Sequence, residues 1–453
     1  MMSSWRLRTM AALVAVAALG TAACAPGSQG NGSSETDAAD VETDVSSMGK
    51  VTLTVWDQEV RSGQDKPLQE LNAAFEAKHP NVTIKRVSRS FSDLQKQVRL
   101  AISGDDAPDV VQANNARADM GAFVEAGLLR SLDGYAETYG WTDRFSPGIR
   151  SVASYTEDGA TFGEGNLYGL PLTGELVGVW YNRAKLQHLG IQPPSTLEEF
   201  ETALQKAQQA GEIPIQFGNL DQWPGIHEWG FVQNEFVPRA DIRSLGFGQP
   251  GASWTSDANV EAAQTLDRWV QRGYFTNGFN GLGYDPSWQS FVEGQGVFLI
   301  SGTWLLADLQ AGLGEDLGFM LPPVGETGDL AVTGSTGLPF AITDASDDAD
   351  AAAAYLDFIT SGDAMARIAD AGGLPAVDTA EQQVSGTQAQ LFDAWATANA
   401  EDALVPYLDW ATPEATDVVP TETQELMGGE QSVRDFLGAL QEDYGSFVQG
   451  NGG

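Results

Sequence analysis

Several short stretches of this chain set an aromatic ring beside carboxylates and amides. One is Trp56-Asp57-Gln58-Glu59, and Ser88-Arg89-Ser90 and Asn114-Asn115 are similarly polar. The densest runs from Ile215 to Trp229, where Asn219, Asp221, Trp223, His227, Glu228 and Trp229 fall within eleven positions. A flat apolar ring can cover the C–H face of a cyclic polyol, while carboxylates and amides bond its hydroxyls. The chemistry on offer is therefore reversible recognition of a hydroxylated ring.

Bond-breaking chemistry needs a constellation, and none is present. The three histidines (79, 188 and 227) sit in no HExxH pattern. There is no GxSxG elbow and no phosphate-binding Walker loop. Asp344–Asp350 lacks the glycine and terminal Glu of a calcium loop. No metal or cofactor is expected. Among 62 acidic residues, pairs such as Asp221 and Glu228 arise by chance, so a glycosidase pair cannot be argued from counts. Two alternatives stand beside neutral recognition. Arg61, Arg89 and Arg117 each follow one of the first three strands, and their convergence would suit an anionic solute such as a sugar phosphate. A secreted glycoside hydrolase is the other.

The elements that must position these residues alternate regularly. Lys50–Trp56, Val82–Val87 and Asp109–Val111 read as strands. Helices follow them: one opening at Asp65-Lys66-Pro67 and closing at His79-Pro80, one capped by Ser92, and one ending at Gly127. Such alternation specifies a parallel sheet covered on both faces, with ligands bound at the carboxyl ends of its strands. Gly165–Asn182 then passes Leu170-Pro171 into the apolar run Leu176–Tyr181, a buried strand joining the first series to a second. Glu175 lies beside the cleft such a hinge would border. Ser195-Thr196 with Glu198-Glu199 caps a helix in the second series.

At 453 residues the chain exceeds what one core supports, so two domains are expected. Residues 1–23 have the basic and apolar regions of a signal peptide, and the lone cysteine, Cys24, follows Thr21-Ala22-Ala23 as in a lipobox. Thr21 stands where leucine is usual. Disulfides are excluded. Residues 24–47 are Gly, Ser, Asp and Glu with almost nothing to bury. They read as a disordered tether of roughly 25–30 Å root-mean-square reach. A net charge of −38 repels nucleic acid and anionic lipid, so membrane attachment would need the acyl anchor.

The hinge pattern, "Gly-Leu-Pro, three residues, an acid, an apolar run, Tyr-Asn", resembles the first crossover of the extracellular solute-binding proteins of carbohydrate importers, the class of maltose-binding protein. Phe291–Leu306 resembles that family's "F-x-x-G, apolar strand, G-x-W", Thr333–Gly337 a second crossover, and Gly373-Leu374-Pro375 a later turn. The resemblance spans roughly 50–450. It implies a two-lobe α/β fold, each lobe a mostly parallel sheet flanked by helices and joined by hinge crossover strands. The lobes would be 48–171 plus 338–380 and 174–335 plus 381–453. It also implies a monomer on the extracellular face of the cell membrane, serving the permease subunits of an ABC importer, with a sugar bound between the lobes. By that resemblance Glu175 accepts ligand hydroxyls, Trp304 and Trp410 stack on the ligand, and Ser335 belongs to the site.

Overall fold

The computed structural model describes residues 36–450. The expected signal peptide and Cys24 lie outside the described residues. Among the described residues, eleven strands form two main sheets and one hairpin. β1 (Val51–Asp57), β2 (Val82–Ser88) and β3 (Val110–Gln112) begin the first sheet. The hairpin is β4 (Ser154–Tyr155) with β5 (Asn166–Leu167). β6 (Gly174–Asn182), β7 (Phe298–Gly302), β8 (Leu317–Met320) and β9 (Val332–Thr336) build the second sheet. β10 (Phe340–Ile342) returns to the first, and β11 (Leu404–Val405) completes the second.

In the first sheet the order is β10-β3-β1-β2. β2 and β3 run parallel to β1, and β10 is antiparallel at the edge beyond β3. The two-lobe α/β architecture is as expected, but the second sheet is mixed rather than mostly parallel. β6 is antiparallel to β7, β8 and β9, and only β9 and β11 run parallel. Part of the reason is topological. A chain that crosses into a second lobe on one strand must cross back on another running the opposite way.

Local chemistry explains most boundaries. Ser90 accepts a bond from Asp93 N and starts the helix Phe91–Ile102, two residues before the Ser92 cap read from sequence. The helix Ser62–Lys78 begins ahead of Asp65 and carries Pro67 in its second turn, because the Arg61 carbonyl already accepts from Gln64 N and Asp65 N. Thr196 accepts from Glu199 N while the Glu199 carboxylate accepts from Ser195 N at 2.8 Å. That is the reciprocal cap expected there.

The tether reading is corrected over residues 36–47, which dock on the first lobe. Asp37 and Asp44 cap short 3-10 turns, and Val45 enters the core at 3% exposure. The Asn81 amide donates to the carbonyls of Val45 and Gly49 at 2.8 and 2.7 Å, and Glu42 N donates to Asp350. Composition hid one apolar anchor and two caps among many solvated acids.

Candidate functional site

Three chain segments cross between the lobes side by side. Gly174, Glu175 and Leu176 pair with Thr336, Ser335 and Gly334. Phe340 and Leu170 exchange backbone bonds, and Leu374 O accepts from Gly174 N at 3.0 Å. Glycine is required here by close approach. A Cβ on Gly337 would meet Thr173 Oγ1 at 2.3 Å and Glu175 Oε1 at 3.1 Å, and one on Gly334 would meet Glu175 O at 2.5 Å. The glycines of Thr333–Gly337 thus let the return strand lie against the Glu175 side chain.

Beside this crossover opens a cleft with about 890 Å³ of empty space, part of it open to solvent. Glu175, Thr336 and Leu338 reach it from the crossing segments. From the first lobe come Gln58, Arg61, Ser90, Phe91, Asn114 and Asn115, all at or just past the carboxyl ends of β1, β2 and β3. From the second come Trp223, His227, Trp304, Tyr407, Asp409 and Trp410. The aromatic members form a connected surface. Trp223 packs on Tyr284 at 4.4 Å, His227 on Trp304 at 5.5 Å, and Tyr407 on Trp410 at 5.2 Å. Trp304 Nε1 donates to Tyr284 Oη at 2.6 Å, which fixes the indole. Phe91 meets Trp223 edge-on at 5.9 Å across the cleft.

Several polar atoms on this surface are buried without a partner in the protein. They are the Tyr407 hydroxyl, Asp409 Oδ1, the Thr336 hydroxyl and Asn115 Oδ1. Buried polar groups are ordinarily satisfied, and leaving one unmade costs about 1–3 kcal/mol. Other unpartnered atoms lie in the core, but these four share one cleft and leave hydrogen-bonding capacity there. Burial also sets the charges. It pushes the Glu175 carboxyl up to about 8, assisted by nearby Glu59, and Asp409 up to about 7. It lowers His227 to about 3, so that imidazole is neutral.

The structure brings together seven of the residues picked from sequence: Ser90, Asn114, Asn115, Glu175, Trp223, Trp304 and Trp410. The remaining ones lie elsewhere. Asp57 is fully buried and holds Arg86 through two bonds of 2.7 Å, tying β1 to β2. Trp56 carries the Arg89 guanidinium over its ring at 4.5 Å, so that face is occupied. Glu59 is buried behind the cleft, accepting from Gln112 at 2.7 Å, and burial raises it to about 7. Asp221 accepts from Tyr284 N and fixes a turn. Ser335 opens into a separate recess beside Trp395 and Pro406.

Trp229 is a core residue with no exposure, packed edge-on against Phe436. From Pro224 onward the stretch belongs to a helix, Pro224–Phe236, buried along its whole length. Pro224 occupies its first turn, which the sequence pattern for a helix start permits. His227 therefore faces the cleft from a helix. Tyr407, Asp409 and Thr336 were not picked from the sequence, while His227 was noted only as part of the dense stretch and Arg61 only for an anionic solute. Tyr407-Leu408-Asp409-Trp410 repeats the ring-beside-acid signal and was discernible on that ground.

Residues 61–366 match the family described as bacterial extracellular solute-binding protein. The multiple sugar-binding protein of Streptococcus mutans is 22% identical over 330 residues, covering 72% of this chain and 75% of that protein. Among solved structures, a chitin oligosaccharide binding protein superposes with a TM-score of 0.74 at 21% identity, over 88% of this chain and 99% of that one. The solute-binding protein RafE in complex with raffinose gives 0.71 at 18% identity, over 88% and 100%.

Glu175 yields a pH prediction. Its folded value of about 8 exceeds the ordinary 4.5, so the folded protein holds a proton that the unfolded chain has released between those pH values. Stability from this group is complete below about 4.5 and declines as pH rises toward 8. Glu175→Gln is neutral throughout. Ligand-free melts of the variant should show a smaller decline across that window, its melting temperature exceeding the native one most at pH 8. Equal slopes for both proteins would refute the buried-carboxyl account.

Trp223 and Trp229 make a contrasting pair. Trp223 is half-buried in the cleft wall and Trp229 fully buried. Trp223→Ala should weaken ligand binding tenfold or more, about 1.4 kcal/mol, and lose less stability than Trp229→Ala. For the latter, the loss should be about 3–5 kcal/mol. Calorimetric titration alongside denaturant unfolding checks both, and normal binding by an unstable Trp223→Ala protein would contradict the assignment.

Proposed function

The chain belongs to the bacterial extracellular solute-binding protein family, and from that premise we propose that it captures a neutral sugar, a di- or oligosaccharide, in the interlobe cleft for an ABC importer. One observation carries this reading: unpartnered hydroxyl, amide and carboxyl groups converge beside an indole-rich wall. A carbohydrate needs both, rings for its C–H faces and polar atoms for its hydroxyls. The ligands named for the relatives, multiple sugars and raffinose, are of the same class. We assign the site binding and no turnover.

An anionic ligand is less well supported. Arg89 is committed to Trp56, and Arg117 donates to the carbonyls of Ala160 and Phe247. Arg61 reaches the cleft but is paired with Asp285 at 2.7 Å. The three arginines do not converge, and the remaining ionisable groups lining the cleft are acids or the neutral His227.

In this proposal the lobes, 48–171 plus 338–380 and 174–335 plus 381–453, rotate about the 171–176 and 333–338 segments to enclose ligand. A thermal-shift screen of maltotriose, raffinose, xylotriose and chitotriose against galacturonate and glucose 6-phosphate tests the ligand class. Ligand at 100 times its dissociation constant should stabilise by about 2.7 kcal/mol. Stabilisation by the anionic set alone would overturn the neutral reading.

We further propose that the protein is lipid-anchored through Cys24 on the extracellular face of the membrane. The motivation is the position of that cysteine after the apolar leader. Cys24→Ser should shift the protein from the membrane fraction into the medium. Retention of the variant on membranes at high salt would rule the anchor out.

A further inference from the structure

Arg61 is the one permanent cation among the residues lining the cleft, and it is not idle. Its Nη2 donates to Asp285 Oδ1 at 2.7 Å. The same oxygen accepts from Trp288 Nε1 at 2.9 Å, which fixes the carboxylate. The guanidinium lies 5.5 Å from the ring centres of both Tyr284 and Trp288. Asp285 itself lines the cleft from the second lobe, on the helix Tyr284–Val292. Of the eight ion pairs among the described residues, this is the one that joins the two lobes.

We propose that Asp285 is a specificity-determining residue that works as a charge filter: by occupying Arg61 it denies the cleft a site for acidic sugars. The idea rests on the carbohydrate reading above and deepens it. Arginine binds carboxylates through a planar fork of donors, and a uronate entering this cleft would need that fork. Asp285 already holds one arm of it, and its own negative charge repels the incoming carboxylate. Discrimination of this kind is a difference of affinities built partly from repulsion. A neutral sugar meets neither obstacle and still finds the remaining Arg61 donors.

Asp285 is more than half exposed, so Asp285→Asn should fold normally, and an unchanged melting temperature verifies that. The substitution keeps the side chain's shape and removes its charge. Native protein, Asp285→Asn and the double variant Arg61→Gln/Asp285→Asn are titrated calorimetrically with maltotriose, raffinose and xylotriose, and with digalacturonate and glucuronate. Because the pair also joins the lobes, its loss can lower every affinity, so the readout is the ratio of uronate to neutral-sugar affinity.

That ratio should rise about tenfold or more in Asp285→Asn, the scale of one charge-assisted bond. The gain should shrink at high salt and disappear in the double variant. An unchanged ratio in Asp285→Asn, or a gain that persists in the double variant, overturns the filter and leaves the carbohydrate reading intact. A native protein that binds the uronates as tightly as the neutral sugars also overturns it. A native protein that binds no sugar of either kind overturns the carbohydrate reading, and the filter with it.

Discussion

Gly174, Glu175 and Leu176 lie antiparallel to Thr336, Ser335 and Gly334, and the positions of both lobes are referred to that short pairing. It exists because a chain crossing between two sheets must return. The return strand comes close enough to need glycine at 334 and 337. Its backbone bonds continue into Phe340 and Leu170 on one side and into β9 and β6 on the other. A third segment, around Leu374, pairs alongside. The cleft is the space these crossings leave between the carboxyl ends of one sheet and the aromatic wall of the other.

Energetically the cleft is expensive in the absence of ligand. Glu175, Glu59 and Asp409 are carboxyls that burial pushes toward the neutral form, and several neighbouring oxygens lack partners. A protein selected for stability alone would fill such a space with apolar side chains. Similar costs fall on the buried helix behind the aromatic wall, where the Glu228 and Glu235 carboxylates also lack partners, while β1 and β2 are tied by ion pairing. Asp57 and Arg86 are such a tie, a buried ion pair whose remaining donors reach Asp65 and the Glu59 carbonyl.

Much of this was legible in the sequence, for identifiable reasons. Strands and helices of the first lobe follow hydrophobic periodicity and caps, which are local signals. The hinge strand was readable because its nine residues are all buried and their apolar run is unbroken. Strand direction in the second sheet was not, since it depends on where distant strands pair. Residues at strand ends reach the cleft where position alone decides it, as with Asn114 and Asn115. They were misjudged where a partner decides it: Asp57 is claimed by Arg86, and Trp56 by Arg89. Trp229 and Trp223 look alike in the sequence. A helix beginning at Pro224 sends one into the core and leaves the other at its cap.

The order in which the crossings occur along the chain also governs how the molecule can assemble. Thr336 follows Gly174 by 162 residues, and β10, the strand that completes the first sheet beyond β3, is not made until Phe340–Ile342. The N-terminal sheet therefore waits for residues 174–335, the larger part of the second lobe, to be synthesised before its edge can be closed. Contacts so distant in sequence form slowly, because loop-closure entropy is lost before any pairing is gained.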